Sequence, residues 1–102
     1  MAVLAAPDIF RNMPPNTIEP RLVTFAGPRV GLPDFVTAFN ADIESCFRVV
    51  NFLDIVPFVP PAPYVHVGAE IAVDSGGSID VISRHSFDSY RDGLTALIAA
   101  HP

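Results

Sequence analysis

The sequence predicts an α/β domain with a parallel sheet, and three observations carry that expectation. Helix-patterned stretches and short β-rich runs alternate in the order helix, strand, helix, strand. The central run, Cys46 to Leu53, is almost continuously apolar, which suits a strand covered on both faces. Proline and glycine clusters interrupt the chain between these runs.

Taken in order, Met1 to Ala6 reads as a helix stopped near Pro7, with Asp8, Asn12, Pro14, Pro15 and Asn16 forming a polar loop behind it. Arg21 to Ala26 is a short buried strand ended by Gly27 and Pro28. Asp34 to Ile43 is a helix, because Phe35, Val36, Phe39 and Ile43 recur at helical spacing behind an acid at its head. The central strand follows and delivers Asp54 into a proline-rich exit, Ile55 to Pro63. Tyr64 to Val73 alternates well enough for one further strand, Ser75 to Ser78 is a turn, and Ile79 to Ile82 is a short apolar piece. From Ser86 a final helix carries Phe87, Tyr90, Leu94, Leu97 and Ile98 on one face. Gly93 inside it costs on the order of 1 kcal/mol against Ala, so tertiary packing must hold it.

At 102 residues the chain is at most one domain. Only 17 % of residues are charged, Lys is absent and all six cations are Arg, so much of the surface expects a partner. A net charge of −5 without a basic cluster argues against nucleic acid or an anionic membrane. The lone Cys46 has no disulfide mate in the chain and reads as buried filler. No stretch is long and apolar enough to cross a bilayer, and Met1 to Ala6 is too short for a signal-peptide core. The compartment stays open.

Asp54 and His85 are the candidate catalytic residues. An Asp at the carboxyl end of a central strand sits where ligands gather in open α/β sheets, and an Asp that orients a His is two-thirds of a nucleophilic triad. The bland alternatives are a turn residue and a solvated helix flank. Arg29 is expected to tie its loop to a carboxylate or carbonyl. His66 and Glu70, four apart on a strand, are expected on one face as a structural pair rather than a metal site. No cofactor or metal motif is present.

Four blocks carry a resemblance. T-F-A-G-P-R-V-G at Thr24 to Gly31, R-V-V-N-F-L-D-I-V-P-F-V-P-P at Arg48 to Pro61, V-H-V-G-A-E-I at Val65 to Ile71 and R-H-S-F-D-S-Y at Arg84 to Tyr90 resemble, in order, the C-terminal half of the class 3 (fungal triacylglycerol type) lipases. The resemblance implies an α/β-hydrolase fold, with Asp54 as the triad acid and His85 as the triad base. It also implies an acyl-ester or triacylglycerol substrate.

The nucleophile is missing from the pattern. G-x-S-x-G occurs nowhere in the chain, and none of the six serines sits in a tight Gly frame between strand and helix. The expectation is a single partial domain over residues 1–102, with the nucleophile elbow lying upstream and the chain inactive alone. The strand Arg21 to Ala26 would then have a bare apolar edge, open to the missing half or to self-association. Two alternatives stand beside the lipase segment: a non-catalytic remnant binding lipid or a protein through that edge, and a purely structural α/β piece.

Overall fold

The computed structural model describes residues 1–16 and 19–101. Three strands, β1 (Arg21–Phe25), β2 (Ser45–Asn51) and β3 (Ala69–Val73), form a parallel sheet in the order β1-β2-β3. Leu22 pairs with Cys46, and Val49 lies between Phe25 on one side and Ile71 on the other. Helices α1 (Ala2–Asn12) and α2 (Pro33–Asp42) cover one face, and α4 (Phe87–Ala100) covers the other. A four-residue helix, α3 (Val81–Arg84), leads into α4.

The two faces bury separate cores because successive side chains of β2 point to opposite sides. Cys46 packs with Ala6, Phe39, Ile43 and Val67 under α1 and α2. Val49 packs with Ala26, Val73 and Tyr90 under α4. Burial pushes the Cys46 thiol up from its ordinary pKa, as expected of filler rather than a nucleophile. Gly93 is required by this packing: a Cβ there would stand 2.8 Å from the Val73 side chain, so a bare backbone lets α4 settle onto β3.

Several sequence-based boundaries shift. The first helix runs through Pro7 to Asn12. An interior proline removes one N–H and clashes with the preceding turn, but Val3, Ala6 and Phe10 all pack into the core and Arg11 bonds Asp42, so tertiary contacts carry the helix past it. The third strand covers only Ala69–Val73. Gly68 breaks it, with φ +67° and its would-be Cβ against the Cys46 carbonyl; Tyr64 to Val67 form a loop that touches Gly31 through Val65. Ile79 and Ile82 are exposed, and in place of a short apolar piece the chain forms a turn and helix α3, capped by Asp80. On α4, Tyr90, Leu94 and Leu97 face the sheet, whereas Phe87 and Ile98 are exposed.

Candidate active site

β2 ends at Asn51, and the chain turns at once, with the Asp54 N–H donating to the Asn51 carbonyl at 3.1 Å. Leu53 takes φ +71°, a left-handed conformation that costs a non-glycine residue about 1–2 kcal/mol. The strain is sustained because the turn aims Asp54 inward. Its carboxylate is fully buried and would be costly there without donors.

Three donors meet it. The Val56 N–H bonds Oδ1 at 3.0 Å, fixing the one-turn 3-10 helix Val56–Phe58 against the acid. The Tyr90 hydroxyl donates to Oδ2 at 2.5 Å while accepting the Asn51 N–H at 3.1 Å. His85 Nδ1 lies 3.1 and 3.0 Å from the two oxygens. A carboxylate only accepts, so Nδ1 carries the proton and Nε2 is left as the free basic nitrogen. Burial, and then the Asp54 carboxylate, raise the Tyr90 pKa, so the phenol stays a donor.

His85 caps the C-terminus of α3, and Ser86 caps the N-terminus of α4 by accepting the Ser89 N–H. The imidazole is 44 % exposed and lines an open cleft of about 600 Å³. Phe25, Ala26, Val56, Phe87, Tyr90 and Leu94 make most of its wall apolar. The structure thus brings Asp54 and His85 together across 31 residues of chain.

Five of the six serines are engaged elsewhere, and Ser45 stands at the start of β2, the opposite end of the strand from Asn51. Ser75 Oγ accepts from Asn51, Ser78 Oγ accepts from the Asp80 N–H, and Ser83, Ser86 and Ser89 bond one another's caps around α3 and α4. Arg29 behaves as expected, its Nη1 donating to the Phe58 and Pro60 carbonyls and so clamping the proline-rich exit. His66 and Glu70 do not pair. His66 Nε2 donates to the Pro57 carbonyl and Glu70 lies 3.8 Å from Arg48, because the strand that would have put both on one face begins only at Ala69. Among the described residues no group of His, Cys, Asp and Glu could hold a metal ion.

Sequence reasoning missed the supports of the pair. The helical pattern marks Tyr90 only as a core residue, and it packs as one while its hydroxyl supports Asp54. Asn51 and Arg84 were not singled out, although a lone Asn inside an apolar strand is a buried polar group that must find partners.

A parallel sheet with an Asp at a strand end bonded to a His on a later loop places the chain in the α/β-hydrolase class, and the comparisons agree. The family model for lipase (class 3) matches residues 1–64. Phospholipase A1-II 1 of Oryza sativa is 34 % identical over 101 residues, covering 92 % of this chain and 26 % of its own length. The lipase of Rhizopus oryzae is 35 % identical over 82 residues, covering 76 % of this chain and 20 % of its own. A solved triacylglycerol lipase, described as having a serine protease triad as its catalytic centre, superposes with a TM-score of 0.64 at 30 % identity. That match covers 91 % of this chain and 41 % of the lipase. The chain belongs to the class 3 lipase family. It spans about a quarter of the length of the Oryza sativa phospholipase and about a fifth of the Rhizopus oryzae lipase.

Proposed function

We propose that the chain supplies the acid and base of a serine carboxylester hydrolase acting on triacylglycerol or other acyl esters. The single observation that carries this reading is the buried Asp54 carboxylate on His85 Nδ1, with the other face of the imidazole open to an apolar cleft. In this reading a serine from a segment outside these residues enters the cleft. Its Oγ attacks the ester carbonyl as His85 Nε2 takes the hydroxyl proton. Asp54 stabilises the imidazolium, which then protonates the departing alkoxide. Water releases the acyl group in the second half, again losing its proton to Nε2. An apolar cleft wall suits neutral acyl groups. The exposed edge of β1 is the natural seat for the complementing segment, since Val23 and Phe25 stand half exposed along it.

The test is co-expression with a nucleophile-bearing class 3 lipase segment, followed by fluorophosphonate labelling and ester hydrolysis. Asp54→Asn and His85→Ala are expected to lower kcat on the order of 10⁴-fold. Near-full activity in either variant would overturn the assignment.

A further inference from the structure

Two side chains next to the pair take no part in that chemistry yet are buried more deeply than His85. Asn51 is 1 % exposed and Arg84 4 %. Burying a guanidinium is expensive unless its donors are engaged and its charge balanced. Both conditions hold for Arg84. Its Nε donates to the Ser78 carbonyl at 2.6 Å, and its Nη1 to the Phe52 carbonyl at 3.3 Å and to Asp74 Oδ1 at 2.7 Å. The Arg84 carbonyl in turn accepts from Asn51 Nδ2 at 3.0 Å.

These bonds run both ways between the same two pieces of backbone. The Asn51 side chain holds the peptide just before His85, and the Arg84 side chain holds Phe52, two residues before Asp54. We infer that Arg84 is a positioning residue: together with Asn51 it forms a reciprocal brace that locks the His85 cap over Asp54, with Asp74 balancing its charge. The inference deepens the proposed function and rests on it.

A brace is needed because α3 has only four residues and cannot hold its own C-cap rigidly. Without one, the ring would be placed only by its contact with Asp54 and by the cap bonds of α3 and α4 on either side of it. A misplacement of about 1 Å in a reacting group can cost 10²-fold in rate. Lysine is no substitute, because one ammonium is a point charge and cannot span three acceptors that lie in different directions.

The test reads the ring itself and needs no turnover. In ¹⁵N-histidine-labelled protein, the tautomer of His85 and the exchange of its Nδ1 proton with water are followed by NMR for wild type, Arg84→Ala and Arg84→Lys. The wild type should show one Nδ1–H tautomer with a protected proton. Arg84→Lys keeps a positive charge beside Asp74, so it is the variant that decides if Arg84→Ala does not fold. Both folded variants should exchange the Nδ1 proton at least tenfold faster, and added guanidinium should restore part of the protection in Arg84→Ala. A folded Arg84→Lys protein with a lower Tm but proton exchange within twofold of wild type would make Arg84 merely structural and overturn the inference. Absence of the protected proton in wild type would overturn the pair and the brace together. Brace-dependent protection in a completed protein that hydrolyses no ester would leave the brace standing and overturn the catalytic reading alone.

Discussion

The Asp54 corner and the free edge of β1 lie close together and are built in opposite ways. At the corner the buried Asp54 and Asn51 side chains are answered: the carboxylate accepts from Val56, Tyr90 and His85, and Asn51 bonds Arg84 and Ser75. Along β1 the sheet has a partner on one side, β2, among the described residues, and Val23 and Phe25 stand 53 % and 51 % exposed. Phe25 links the regions, its ring edge-on to Tyr90 at 6.3 Å. The difference teaches that Asp54 and His85 are held by bonds internal to the described residues, whereas the outer edge of β1 has no strand paired to it among them. Unpaired N–H and C=O groups with apolar side chains around them form a template for a further strand.

Breaking the corner should have the largest effect on stability. Tyr90→Phe removes the hydroxyl that joins the Asn51 N–H to Asp54, leaving a buried donor and a carboxylate oxygen each short of a partner. Unfolding free energy should fall by about 1–3 kcal/mol in urea titrations, and the β1 edge should associate as before.

Gly93→Ala sharpens the comparison from the helix side. The added methyl gains up to about 1 kcal/mol of helix propensity. It meets the Val73 side chain in a close-packed contact, which costs about 1–3 kcal/mol. The net should be a loss of about 1 kcal/mol in thermal unfolding, with Tyr90 fluorescence shifted as α4 lifts away.

Acid should act on the loop that leaves the corner. His66 is half buried, and that burial, more than the neighbouring Arg48 and Arg29, holds its pKa below the ordinary 6.5. The unfolded chain therefore binds this proton first as pH falls, so stability should drop from about pH 7 downward through 6.5. Urea midpoints at about pH 7.5 and 5.5 should differ, and His66→Gln should shrink the difference. Asp74 works in a lower window. The Gly76 N–H and then Arg84 hold its carboxyl below the ordinary 3.8, so its contribution is present above that value and lost beneath it.

The smallest effect on stability and the clearest on association should come from the edge. Val23→Lys places a charge on an exposed strand position and should change stability by no more than about 0.5 kcal/mol. Light scattering should show less self-association, while the His85 environment seen by NMR stays as it was.

What the sequence determined by itself is the order of elements, the parallel sheet and the two catalytic candidates. Period and punctuation are local: an apolar run ending in a lone acid, and a His ahead of an amphipathic helix, are visible without coordinates. The family blocks pointed to the same residues. What only the tertiary structure decided is everything that depends on cross-chain neighbours. Helix α1 passes Pro7 because Phe10 finds a core, and β3 starts late because Gly68 must clear Cys46. Tyr90 and Arg84 became supports of the site because folding brought them 36 and 32 residues back along the chain to Asp54 and Phe52. A side chain's partners are set by the packing of distant segments, and no local pattern encodes which buried polar group will answer which.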